Sequence, residues 1–140
     1  MTDLIETLKR RYPDAVTFKL GDNAELSEWL VSLVRDGKKV ATCGALRHYQ
    51  NGAAMPSPGR RDIILDWDGN PALVIETLEI IHCKFCDVTE AMALAEGESE
   101  DLEGWRAGHR EYYGRTVGYC FDMDVVWERF ALVEDLQRPA

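Results

Sequence analysis

The stretch Arg35–Arg47, RDGKKVATCGALR, joins an amphipathic run to a segment of small residues, and how it is read decides the fold. Gly37 can take the positive φ that ends a helix. Lys38 and Lys39 follow at the mouth of the next element. Val40 to Ala45 read as a strand, because β-branched and small residues replace the helix formers. This stretch is expected to form the ligand-binding edge of the protein.

Upstream of it, Asn23 is a good N-cap, and Leu26, Trp29, Leu30, Leu33 and Val34 recur at spacings of three and four. They predict a helix to Asp36 with its apolar stripe, Trp29 included, in the core. Leu4, Ile5 and Leu8 predict a first helix over residues 2–11, stopped by Tyr12-Pro13. Val16 to Leu20 is a short extended piece closed by Gly21-Asp22-Asn23.

Downstream, Leu46 to Gln50 is expected to continue the strand briefly before a turn-rich loop, Asn51 to Gly59, of the kind that can close over a site. Asp62–Trp67 and Leu73–Cys83 are strands joined by the tight turn Asp68-Gly69-Asn70-Pro71, which makes a hairpin. Glu76 lies mid-strand among apolar neighbours and needs a partner, for which Arg129 is the candidate. Val88–Ala95 reads as a short helix capped by Asp87. Glu96-Gly97-Glu98 ends it, and Ser99 caps a further helix over about residues 100–113, with Leu102, Trp105, His109 and Tyr112 on one stripe. Met123 to Val133 is the last strand. The mixture predicts an α+β domain built on a small curved sheet or barrel.

Charge is unevenly distributed. Arg35 to Arg61 carries six basic residues, Arg35, Lys38, Lys39, Arg47, Arg60 and Arg61, against the single acid Asp36, whereas Asp87 to Glu103 carries seven acids and no Lys or Arg. The two blocks are either opposite lips of a cleft, where cation and carboxylate shift each other's pKa, or two solvated faces of opposite sign. The net charge of −9 argues against tight binding to long duplex DNA, since that affinity comes mainly from neutralising phosphates. A short RNA strand, a nucleotide or a single nucleoside at a local basic patch remains compatible with it.

At 140 residues the chain fits the size of a single domain spanning 1–140. No apolar stretch approaches the roughly 20 residues of a membrane span. The amphipathic, mixed-charge N-terminus does not resemble a secretory signal, so a cytoplasmic location is expected. The four cysteines, Cys43, Cys83, Cys86 and Cys120, admit three pairings in an exported protein, and in the cytosol are expected as reduced, buried thiols. Cys83-Lys-Phe-Cys86 has zinc-like spacing but no matching second pair, so neither a metal nor a cofactor is expected.

An ordered set of segments resembles the ASCH domain family: Gly37-Lys38-Lys39-Val40-Ala41-Thr42, Val74-Ile75-Glu76-Thr77, Glu96-Gly97-Glu98, Trp105-Arg106 with His109, and Glu128-Arg129-Phe130. The resemblance implies a PUA-like fold, a small and mostly antiparallel β-barrel with flanking helices and one cleft. Here it would carry an N-terminal helical extension. Members of the family are associated with RNA binding; some are ribonucleases, and a small bacterial member is an amidohydrolase that removes acyl groups from the exocyclic nitrogen of cytidine derivatives. The lysine and threonine of that amidohydrolase match Lys39 and Thr42, and its glutamate falls in the turn holding Glu96 and Glu98, of which Glu96 is preferred because it directly precedes the glycine. Where relatives often carry an arginine shortly after the threonine, this chain has Cys43 and Gly44.

Amide cleavage needs a nucleophile, a base and a stabiliser for the oxyanion. The expected catalytic set is Thr42 as nucleophile, Lys39 as base with Lys38 as the neighbouring cation, and Glu96 carrying the proton to the leaving amine. Residues three apart on a straight strand point to opposite faces, so Lys39 and Thr42 share a site only if the chain bends between them. Lys38, Arg47, Tyr49, Arg60, Glu98 and His109 are the expected ligand contacts, with Tyr49 either stacking on a base or simply packing and His109 more often structural in such a position than functional. The primary expectation is binding of RNA or a nucleotide or nucleoside in a basic cleft. The alternative is a hydrolase, either the acylcytidine-type amidohydrolase or a metal-assisted ribonuclease.

Overall fold

The computed structural model describes residues 4–138, so positions 2 and 3 of the expected first helix lie outside the described residues. The elements in chain order are α1 (Leu4–Arg11), β1 (Thr17–Lys19), α2 (Ala24–Arg35), β2 (Ala41–Ala45), α3 (Leu46–Gln50), β3 (Arg61–Leu65), β4 (Pro71–Lys84), α4 (Glu90–Ala95), α5 (Leu102–Arg115) and β5 (Asp124–Asp135). A single 3₁₀ turn, Phe85–Asp87, links β4 to α4. This is the expected α+β class. The strands form one five-stranded mixed sheet in the order β1-β3-β4-β5-β2.

The frame of that sheet is the hairpin β3–β4 extended by β5, all antiparallel. Register shifts between Val74 and Ile75 and between Thr77 and Glu79 bend the two longest strands. β2 adds to β5 antiparallel, and β1 pairs with β3 in parallel. The sheet therefore keeps two edges, β1 and β2, instead of closing completely. Residues of both edges line one cavity, so the sheet curls until its margins face each other across that space.

Three apolar clusters hold the frame. α2 starts where Asn23 accepts a hydrogen bond from the Leu26 amide (2.9 Å) and packs Leu30, Leu33 and Val34 against Ile64, Leu73, Ile75 and Phe130. On the other face of the sheet, Leu8 and Tyr12 pack on Ile63 and Val74, which seats α1. α4 and α5 cover β2 and β5 through Phe85, Trp105, Tyr113, Val125 and Trp127.

Several local expectations are corrected. Leu46–Gln50 is a helix rather than more strand: one turn brings Tyr49 back over Gly44, where a Cβ would lie 2.6 Å from the Tyr49 hydroxyl. The cap of α4 is Thr89, whose hydroxyl accepts from Met92 N, because Asp87 is used in the 3₁₀ turn. Asp101 rather than Ser99 caps α5. Trp29 is not core; it is 44% exposed and lines the cavity. Glu76 pairs with Arg61, directly opposite on β3, at 3.0 Å, while Arg129 reaches Glu79 at 3.3 Å. Among the described residues no helix is long and apolar enough to cross a membrane.

Candidate functional site

The site begins where α2 stops. Gly37 takes φ 77°, and the amides of Lys38 and Lys39 both donate to Leu33 O (2.9 and 3.0 Å), turning the chain out of the helix. Val40 N then donates to Ala95 O (2.8 Å), tying this turn to the end of α4. There Gly97, at φ 70°, lies so close that a Cβ would sit 2.2 Å from Lys38 O. The contact presses the Glu96-Gly97-Glu98 turn onto the lysine backbone. β2 begins only at Ala41, so Lys39 precedes the strand and Thr42 lies within it, and both residues line the cavity.

The Lys39 side chain is 1% exposed. Its Nζ donates to Ala41 O (2.8 Å) and Glu98 Oε2 (2.5 Å), and stands 3.6 Å from Glu96 Oε1. Glu96, wholly buried, accepts at Oε2 from Trp105 Nε1 (2.7 Å), and its Oε1 is 3.3 Å from His109 Nε2. The His109 ring stacks on Trp105 at 4.2 Å between centroids, and its Nδ1 is 3.0 Å from Trp105 O. Both ring nitrogens thus face acceptors, a carboxylate and a carbonyl, which calls for a proton on each. Two cations and two carboxylates balance one another out of water, as buried charges must.

Burial alone pushes the His109 imidazole down, but Glu96, then Glu98 and the Trp105 carbonyl, override it and hold its pKa above the ordinary 6.5. Burial likewise pushes the Glu96 carboxyl up, and Lys39, His109 and Trp105 reverse this to hold it below 4.5. The His109 contribution to stability is therefore complete below about pH 6.5 and is lost as pH rises through the raised value. The Glu96 contribution is complete above about pH 4.5 and is lost as pH falls through the lowered value. The midpoint of urea unfolding is expected to decline on the alkaline side in the native chain and to lose that decline in His109→Gln. Parallel profiles for the two proteins would show that another group titrates.

The cavity in front of this network measures about 730 Å³, within the range of small-ligand sites. Lys39, Thr42, Tyr49, Arg60, Glu98 and His109 line it; Lys38, Arg47 and Glu96 do not. Lys38 and Arg47 are exposed, and Arg47 is spent on Val117 O at 2.7 Å. Arg60 forms a two-pronged pair with Asp62 (2.8 and 3.0 Å). Lys19, Lys39, Arg60, Arg115 and His109 face four carboxylates, Asp62, Glu98, Glu111 and Glu128, with Glu96 held behind Lys39 and His109, so the expected basic cleft is charge-balanced instead. The basic and acidic blocks meet at Lys39 with Glu96 and Glu98, while Lys38 and Arg47 are turned outward. Burial pushes the Tyr49 phenol well up, which keeps it a hydrogen-bond donor. Glu96, Glu98 and His109 place three donor atoms within 4.8 Å of one another, yet the Lys39 ammonium stands among them and competes with any divalent cation there.

The family model for the ASCH domain matches residues 16–134. The chain belongs to the ASCH domain family. The ASCH domain from Lactobacillus crispatus is similar at 26% identity with a TM-score of 0.79, covering 90% of this chain and 84% of that one. A protein from Enterococcus faecalis is similar at 26% identity with a TM-score of 0.82, covering 95% and 87%. A point mutant of the ASCH protein from Zymomonas mobilis, 10% identical over 87% of this chain and 73% of its own, shares the fold at a TM-score of 0.52. No curated protein matches the chain. The ASCH match begins after α1, which is held to the domain by the Tyr12 hydroxyl donating to Glu134 (3.0 Å) and by Arg11 on the same carboxylate (2.8 Å).

Among the cavity residues of this ASCH domain that sequence reasoning missed are Trp29, Asp62 and Glu128, and with them Lys19, Glu111 and Arg115. For Glu128 a signal existed, a carboxylate that follows the apolar run Val125-Val126-Trp127 in mid-strand. The cysteines are all free; Cys43 is buried, Cys83 and Cys86 are half-buried, and Cys120 is exposed, which corrects the expectation of buried thiols throughout.

Proposed function

We propose that this ASCH domain binds a nucleoside-sized ligand in the cavity and hydrolyses an N-acyl group on it, with Thr42 as nucleophile. The observation that carries the reading is the 2.5 Å contact between the buried Lys39 and the half-buried Glu98, opening on the same cavity as a Thr42 hydroxyl that has no hydrogen bond among the described residues. In an ammonium–carboxylate pair the carboxylate is the member with room for a proton. Glu98 therefore takes the Thr42 proton, and Lys39 supplies positive charge for the oxyanion. This reverses the role first expected of Lys39, whose neighbours here are carboxylates, Lys38 being exposed and off the cavity. Glu98, not the enclosed Glu96, is the carboxylate within reach of a ligand. Exposed aromatic surface at Trp29 offers a wall on which a base can stack.

The test is a panel of N-acylated nucleosides and short single-stranded RNAs, assayed with wild type, Thr42→Ala and Lys39→Ala. Deacylation by wild type is expected, with kcat/KM reduced about 10²–10⁴-fold in both variants and nucleoside binding by Thr42→Ala retained. RNA binding without turnover of any acylated nucleoside would make the cavity a recognition module and overturn the hydrolase reading.

A further inference from the structure

Glu128 belongs to the cavity but not to the Lys39 network. It is only 6% exposed, yet its side chain lines the cavity wall. In the antiparallel pairing of β2 with β5 it lies directly opposite Thr42. Directly opposed residues of such a pair project from the same face with Cβ atoms about 4.5–5.5 Å apart. The Thr42 hydroxyl therefore has a second carboxyl as its cross-strand neighbour.

The surroundings of Glu128 leave its charge uncompensated. Thr77 of β4 hydrogen-bonds Oε2 at 2.6 Å, and Oε1 has no partner among the described residues. Asp62 faces it from β3, Arg60 from the residue just before β3, Lys39 from the segment before β2, and Tyr49 from α3. Of these cations, Arg60 is committed to Asp62 and Lys39 to Glu98. Burial first, and then Asp62, push the Glu128 carboxyl up against the pull of Thr77, Arg60 and Lys39. A buried carboxyl without an ion-pair partner holds its proton more readily than a paired one, which suits it to donate.

We infer that Glu128 is a second catalytic carboxyl of this cavity, the general acid that protonates the leaving nitrogen when Thr42 takes the acyl group. The inference rests on the amidohydrolase reading. In the acylation half, the Thr42 Oγ–carbonyl bond forms, the Thr42 proton passes to Glu98, the C–N bond breaks, and the Glu128 proton goes to the departing amine. In the second half, water attacks the Thr42 ester and gives its proton to Glu128, while the Thr42 oxygen leaves with the proton held by Glu98. Amide and water become acid and amine, and both carboxyls return to their starting states.

The test is steady-state kinetics against pH on a series of N-acylated nucleosides differing in the basicity of the leaving amine, with wild type, Glu128→Gln and Thr77→Val. Glu128→Gln is expected to lower kcat about 10²–10⁴-fold with KM little changed, to lose the alkaline limb of the profile, and to suffer most with the most basic leaving amines. Thr77→Val removes the bond that favours the carboxylate, so it is expected to move that limb to higher pH while leaving it present. A Glu128→Gln enzyme within about threefold of wild type, or a loss equal across all amines with an unchanged pH profile, would overturn the inference while leaving the hydrolase reading intact. Absence of turnover in wild type would remove the hydrolase reading itself, and the inference with it.

Discussion

Lys39→Met is expected to destabilise the fold by about 3–5 kcal/mol, the usual consequence of removing one partner from a buried ion pair. Methionine keeps the unbranched apolar stem, so the loss isolates the charge. Without the ammonium, Glu98 loses its 2.5 Å partner, Ala41 O loses its donor, and Glu96 keeps only Trp105 and His109. Urea unfolding measures the loss. Adding Glu96→Gln to Lys39→Met removes the stranded negative charge, so the double variant is expected to be less destabilised than the sum of the two single changes. If Lys39→Met costs less than about 1 kcal/mol, or the double variant is simply additive, the ammonium is not what compensates these carboxylates.

Gly97→Ala carries the second large expected effect. Alanine disfavours the left-handed conformation at φ 70°, and its Cβ would collide with Lys38 O at 2.2 Å and Lys38 C at 2.6 Å. Both clashing atoms are backbone, so no rotamer change relieves them; the turn must lift away from Lys38. Strain and displacement together are expected to cost about 3 kcal/mol. Because the lift carries Glu98 away from Lys39, deacylation is expected to fall with it. Gly114→Ala on α5 is the comparator, since nothing lies within 4 Å of its added Cβ. There the same substitution is expected to raise stability by about 0.5–1 kcal/mol. A Gly97→Ala chain as stable as Gly114→Ala would show that the turn does not press on the lysine backbone.

The reach of sequence reasoning follows the range of the interaction concerned. The Asn23 cap, the α2 stripe and the β3–β4 hairpin are local, and their residues announce them. The choice between Glu96 and Glu98 is not local: Gly97 sends the two side chains in different directions, and what draws Glu96 inward is Trp105 and His109 on α5. Counting cations along the chain likewise fails to say that Lys38 and Arg47 are exposed whereas Arg60 is turned in and paired with Asp62. α3 escaped because its cause, Tyr49 folding back over Gly44, is a contact rather than a propensity. β1 is three residues long and shows no alternation clear enough to announce a parallel partner. Thr42 and Glu128 become neighbours only through the register of β2 on β5, which neither segment states alone.

The pairing of β2 with β5 also fixes when the cavity can first be complete during synthesis. A ribosome delivers β2 some eighty residues before the strand on which it docks, so the emerging polypeptide must hold Thr42 without a cross-strand neighbour until Asp124–Asp135 leaves the exit tunnel. The cavity wall is complete only with the last strand, and a translation product stalled before it lacks the Glu128 carboxyl opposite Thr42.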